Sequence, residues 1–561
     1  MSAPKTSISR RQFVGAALTG GLFSGCAYTA AKPALMPGLP APAGAGAEAD
    51  ALVAAPAAAP AAAAPSAPAM FRADLHCHTF NARDIPIDGF IRSLAQGIGL
   101  PPQFDGLLAK VTVPLHDALV ASTPIEWADL DAAPPKEARD FRPLLQEVKN
   151  VLHTLPLAAE AVKTIANLVD TMANITKTRA EVAAAIVKAY DQIELFTPAL
   201  VDFEYWTTRD KKAAVRGAST SPVKQIEAHT RISELAMKSK IAGRQVAIHP
   251  YVPFNPWRYV VDRDRMGLDG KPITVLHDVK RAVGEQGFVG VKLYPPCGFL
   301  PVGNDHLHDY ATGGFGAKLD AGLEELFTWC EQDKVPILTH ASLGNAFFKD
   351  AAWRGAPWSW RHVLERHRTL QLCFGHFGNL EGVLGTSDAV SCVAWADAFA
   401  DLMVEYDNVY ADISDSDAAQ SDAKGRLDYQ DRFLFWLCRR LADKDSGPKL
   451  AQRLLYGSDW WMGMIAGMDK EFFNRIEEMV TVQMKPYADT TKGAKGAFVR
   501  GFFGENALRF LGIRGDDGKV RTEDKSTAQR LRKRYDQVKP ETPADGRYPR
   551  WLVDVKETTP S

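Results

Sequence analysis

His76-Cys77-His78 sets two imidazoles at positions i and i+2 of a segment rich in apolar residues. In extended chain such residues point to one side. Both rings can then reach a single metal ion at about 2.0–2.1 Å, with Cys77 facing the other way into packing. Alone, a His-x-His pair is more often structural than a ligand pair. Its weight comes from Lys292, His340, His376 and Asp459, because each ends a run of strand character. If the fold gathers those ends, amine, imidazole and carboxylate meet at one place. Asp202, Glu204 and Asp412 end or follow similar runs, where a carboxylate can fix a histidine tautomer through its Nδ1–H. Asp412 is the strongest of these, since nearby runs carry His376 and Asp459. His249 reads either as a substrate contact or as an anchor for the Pro-rich loop that follows it. Tyr294 offers an aromatic wall or a hydroxyl donor, and Trp460 and Trp461 could wall an apolar or aromatic substrate. Asp305, His306 and His308 form a second polar group in a loop and are left out of the metal set.

The elements that must position these residues are eight apolar runs, at 71–76, 195–206, 244–254, 287–296, 334–340, 370–376, 408–414 and 453–460. Helical patterns separate most of them, and several runs are apolar on both faces, as expected of strands buried between two layers. The alternation predicts an α/β chain folded as a (β/α)8 TIM barrel, with its chemistry at the strand C-termini. No glycine-rich dinucleotide fingerprint follows the first run, which argues against a doubly wound sheet. The first crossover, 81–194, is far longer than a barrel needs. Its pattern predicts an inserted long helical pair, either a lid over the catalytic face or a hairpin packed on the barrel side.

The 66 Lys and Arg residues balance 67 Asp and Glu, which gives no support for nucleic-acid binding through a basic surface. Seven scattered cysteines do not make a disulfide scaffold. GxxxxGK[ST] and G-x-S-x-G motifs are both missing, so neither a P-loop enzyme nor a serine hydrolase of the elbow type is indicated. Residues 27–70 hold 21 Ala and 8 Pro, too little to bury, and read as a flexible tether. Before it, Ser9-Arg10-Arg11-Gln12-Phe13-Val14 precedes an apolar stretch too short to span a bilayer. Residues 1–26 resemble a twin-arginine export signal, which implies a partner in the bacterial twin-arginine machinery and a periplasmic destination. Leu22-Phe23-Ser24-Gly25-Cys26 resembles a lipoprotein processing site, which would make Cys26 a lipid anchor; ordinary cleavage nearby is the alternative. Residues 71–512 form the barrel with its insertion, and 513–561 a charged extension.

The order His-x-His, Lys, His, His, Asp at strand ends resembles that of the amidohydrolase superfamily of metal-dependent hydrolases. AIHPYVPFNP, GVKLYPP, GHFGN, YGSDW and GENALRFLG are similar to its amidohydrolase 2 branch. The resemblance implies a divalent metal, most commonly zinc, held by His76, His78 and other barrel-end ligands, with Asp459 moving the proton of an attacking water. It also implies two ions if Lys292 is carboxylated and bridges them, with His340 and His376 on the second. With one ion, an unmodified Lys292 would face a substrate carboxylate or developing oxyanion. The expected activity is hydrolysis of an amide, lactone or ester bond in a small substrate. The alternatives are one-metal decarboxylation of an aromatic or unsaturated acid, and a catalytically silent exported metal-binding protein.

Overall fold

The computed structural model describes residues 70–97, 100–126, 140–157, 159–203, 217–261, 274–307, 314–342, 354–378, 395–415, 427–460, 471–489, 496–538 and 548–554. The export signal with Cys26, all but the last residue of the tether, and Glu204, His308 and Trp461 lie outside these residues.

Every strand falls on one of the eight apolar runs. A first sheet pairs β1 (Ala73–Cys77), β2 (Leu195–Pro198) and β3 (Ala247–Ile248), all parallel. A second runs in parallel through β4 (Tyr251–Pro253), β5 (Gly290–Leu293), β6 (Ile337–His340), β7 (Leu372–Gly375), β8 (Val409–Asp412) and β9 (Leu454–Leu455). The third run is divided between β3 and β4 at Pro250, which has no N–H to give to a ladder. Hydrogen bonds continue across both gaps between the sheets. Leu200 N donates to Tyr251 O at 3.3 Å, and Leu75 N donates to Tyr456 O at 3.1 Å. Parallel sheets with helical crossovers of this order are consistent with a (β/α)8-like barrel.

The strands are buried throughout, as a parallel sheet covered on both faces requires. Covering helices include Pro222–Lys238, Val275–Glu285, Phe315–Gln332, Pro357–Arg366 and Trp395–Glu405. Ser221 caps the first of these through the backbone N–H of Lys224.

The stretch after β1 differs from the expected helical pair. It holds helices Ile87–Gly97, Asp105–Ser122, Arg142–Thr154, Ala159–Thr171 and Arg179–Ala189, packed through residues such as Leu115, Val148, Ile165 and Leu168. The reading of one long pair missed the breaks at Thr123 and Leu155, where extended backbone ends two of the helices. Arg179 ties this unit to the loop after β1. Its buried guanidinium donates to Asp84 at 2.7 and 2.9 Å and to Thr220 at 3.0 Å, and it pairs with Glu126.

The C-terminal extension packs on the barrel. Helix Thr527–Val538 buries Leu531 and Tyr535, and Trp551 is buried beside them. Arg550 pairs with Glu194 at 2.8 Å.

Candidate metal centre

His76, His376 and His340 form a continuous chain of rings. Centroids lie 4.8 Å apart for His76 and His376, and 4.7 Å apart for His376 and His340. His78 joins at 5.3 Å from His76. The chain of rings exists because β1, β6 and β7 lie side by side or converge at their C-terminal ends. Space for it is left by glycine: a Cβ at Gly375 would come within 3.0 Å of the His76 ring, and one at Gly457 within 2.7 Å of His76 Cβ.

Each imidazole is oriented. His76 Nδ1 lies 3.1 Å from Asp412 Oδ2 and 2.9 Å from Ser414 Oγ, while Lys292 Nζ lies 2.8 Å from His76 Nε2. Asp412 is ionised, so the His76 Nδ1–H donates to it, and the Nε2 lone pair accepts from the Lys292 ammonium. His78 Nδ1 donates to Ala199 O at 2.7 Å, which turns Nε2 toward Asp459 Oδ1 at 3.3 Å. His340 Nε2 meets Ser342 Oγ at 3.0 Å, and its Nδ1 meets His376 Nε2 at 3.1 Å. His376 Nδ1 lies 3.2 Å from Ser414 O and 3.9 Å from Asp459 Oδ2. Asp459 is placed by its own backbone, whose N–H donates to His76 O at 2.7 Å.

Electrostatics follow from burial. His76 is pushed down to about 3 by burial and by the Lys292 charge, against the pull of Asp412, so it is neutral. Burial also lowers Lys292, to about 8, against the carboxylates of Asp412 and Asp459. Burial raises the Asp459 carboxyl, but His78, His376 and His76 outweigh it and hold the group below the usual carboxylate range. The same balance, with His76, His376 and Ser414 prevailing over burial, keeps Asp412 ionised. Asp74 goes the other way: burial raises it to about 7 despite hydrogen bonds from Ser458.

Two groups of side chains present ligand atoms within 4.8 Å of one another: His76, His376 and Asp412, and His376, Asp415 and Asp459. Imidazole nitrogen and carboxylate oxygen, buried together, fit a divalent ion of the zinc or manganese type.

The expected residues do not all gather here. His76, His78, Lys292, His340, His376 and Asp459 do, and the Tyr294 ring stacks 4.5 Å from that of His340. His249 is placed elsewhere, since its ring meets Gly287 O at 3.0 Å and Tyr535 OH at 3.3 Å and packs against Trp551. Its side chain turns to the C-terminal helix. Trp460 is buried in the main hydrophobic core rather than standing as an open wall. Asp202 pairs with Arg258 at 2.7 Å. Asp305 and His306 are largely exposed.

Residues the sequence reading missed are Asp74, Ser342, Ser414, Asp415 and Ser458. Asp74 had a signal, as Asp74, His76 and His78 share one face of an alternating strand. The Asp-Ile-Ser-Asp run from 412 to 415 had another, placing two carboxylates at one strand end.

A family model described as amidohydrolase matches residues 266–513. No curated protein matches the chain. Among solved structures, an amidohydrolase from Burkholderia multivorans with bound zinc is similar at 14% identity, covering 79% of this chain and 99% of that one, with a TM-score of 0.28. An uncharacterized TIM-barrel protein from Bordetella bronchiseptica is similar at 15% identity over 59% of this chain and 82% of that one, with a TM-score of 0.33. A dihydroorotase from Campylobacter jejuni is similar at 12% identity over 52% and 72%, with a TM-score of 0.28. The amidohydrolase match spans β5 to β9, the strands that carry Lys292, His340 and His376 and lead into Asp459. Over residues 266–513, a little under half of the chain, the sequence is similar to the amidohydrolase family.

Proposed function

We propose that the protein is a metal-dependent hydrolase that cleaves an amide, lactone or ester bond of a small substrate, and that its two sheets close as one eight-stranded barrel around the site. The observation that carries this reading is the buried convergence of His76, His78, His376 and Asp459, with Lys292 and His340 completing the group. His76, His78 and Asp459 would hold zinc, with His340, His376 and a carboxylated Lys292 available to a second ion. The metal supplies activation of water and polarisation of the scissile carbonyl.

What the chain itself does is narrower. Asp459, held ionised, takes a proton at its carboxylate and returns it to the leaving group. Asp412 and Ser414 lock the His76 tautomer that leaves Nε2 as the donor atom. Tyr294, Phe203 and Phe80 are only partly buried and follow one another with centroids 6.0 and 6.2 Å apart. They supply an apolar flank for substrate beside His340 and His78.

A second reading, decarboxylation at one ion, is supported by the 2.8 Å contact of Lys292 Nζ with His76 Nε2, which places the amine inside the site, where it would face a substrate carboxylate. A panel of amides, lactones, esters and aromatic acids, assayed with chelated and zinc-reloaded protein, separates the two by product. Asp459→Asn is expected to lower kcat by about 100-fold to 10,000-fold. Unchanged turnover in that variant would remove Asp459 from its role. Export to the periplasm on the twin-arginine route, with Cys26 lipidated or the signal cleaved nearby, belongs to the same proposal.

A further inference from the structure

Asp415 lies three residues beyond Asp412, past the end of β8, and is 4% exposed. Its carboxylate, the His376 ring and the Asp459 carboxylate place ligand atoms within 4.8 Å of one another. The backbone is unusual at the same three positions: His376, Asp415 and Asp459 have φ of 70°, 52° and 41°, in the left-handed region that favours glycine. Side chains held in such conformations gather where a site demands them.

The two oxygens of Asp459 face different partners. Oδ1 is 3.3 Å from His78 Nε2, and Oδ2 is 3.9 Å from His376 Nδ1. Around an ion with bonds of about 2.0–2.2 Å, neighbouring ligand atoms stand about 3–3.5 Å apart, so both separations need little adjustment to close on a cation. Asp459 therefore has one oxygen for a site with His78 and the other for a site with His376. Asp415 belongs to the group that contains His376. Two carboxylates buried this closely repel one another unless a cation lies between them.

We propose that Asp415 is a metal ligand: with His376 and the Oδ2 side of Asp459 it forms a second divalent-cation site, next to the site that His76 and His78 share with Oδ1. This rests on the metal-dependent reading above and goes beyond it by making the second ion independent of Lys292 carboxylation. One imidazole and two carboxylates suit zinc, cobalt(II) or manganese.

The test uses the full chain, stripped with chelator and titrated with cobalt(II) in the visible range, with zinc content measured by mass spectrometry after dialysis. Wild type is expected to take two equivalents. Asp415→Asn is expected to lose one of them, or to bind it at least about tenfold more weakly. Asp415→Gly, which the left-handed backbone accommodates, should behave alike with its circular dichroism spectrum unchanged. Two ions retained at unchanged affinity in both variants would overturn the assignment. Saturation of wild type at one ion would overturn it too, while leaving the hydrolase reading intact. A wild-type protein that takes no ion would instead defeat that reading.

Discussion

At His76 one ring answers to three neighbours, and each limits what the others can do. Asp412 and Ser414 hold Nδ1, Lys292 holds Nε2, and burial keeps the ring neutral. A ligand histidine needs the Nδ1 contacts and the neutral ring, because a protonated ring has no lone pair to give, and Lys292 must release Nε2 before that atom can hold an ion. Asp412 is the group that fixes the tautomer, and it also receives the backbone N–H of His376 at 3.0 Å. Asp412→Asn keeps the shape but can offer an NH2 group where the oxygen accepted. Metal affinity is expected to fall about 10-fold to 100-fold, measured by competition with a chromogenic chelator. A shift below twofold would mean that Ser414 alone orients the ring. The residues that met this way were legible in sequence because each ends a run of strand character. Ser414 and Asp415 were harder to read, since a short polar run past a strand end looks the same whether it folds back on a site or faces solvent.

At the scale of elements, the eight runs were legible because strands buried on both faces concentrate Val, Ile, Leu and Phe into short segments between helices. Where each side chain turns was less so. His249 follows β3 as His340 ends β6, yet the interruption at Pro250 and the C-terminal helix take its ring out of the site. The inserted helices were legible as helical but not in number, although Pro124 and Pro156, which follow the breaks at Thr123 and Leu155, carried the signal. His249 yields a test of how firmly the C-terminal helix is joined to the barrel. Burial lowers it to about 4, aided by the Arg534 charge and opposed by its bond to Gly287. A histidine neutral in the fold and free to charge in the unfolded chain stabilises fully above the unfolded value of 6.5, and that stabilisation is lost as pH falls toward 4. The loss for this group amounts to about 3 kcal/mol across that window. His249→Gln retains a donor for Gly287 O and cannot titrate. Its urea midpoint is expected to fall less than that of wild type between pH 7 and pH 5. Equal losses in the two proteins would show that this ring does not govern the acid limb.

For the molecule as a whole, the distance in sequence between His76 and Asp459 constrains the export route proposed above. A site assembled from residues on both sides of hundreds of intervening positions exists only after the barrel has formed. Loading with metal and loading with fold are then one event. A route that threads an unfolded chain would leave metal selection to the compartment outside, whereas a route that carries folded cargo lets the cytoplasm choose the ion. Ser9-Arg10-Arg11-Gln12-Phe13-Val14, followed by a short apolar stretch and a long Ala/Pro tract, suits the second route. If the proposed export holds, the tract would separate the signal from the folded body by a segment whose composition has little to bury. Replacing both Arg10 and Arg11 with Lys keeps the charge and removes the guanidinium pair that a twin-arginine receptor would read. The full-length variant is expected to remain in the cytoplasmic fraction as uncleaved precursor, still metal-loaded, while wild type is recovered from the periplasmic or membrane fraction. Fractionation by immunoblot, with metal content measured on the retained protein, checks both halves. Equal export of variant and wild type would remove the twin-arginine route, and precursor retained without metal would show that folding and loading occur only after export.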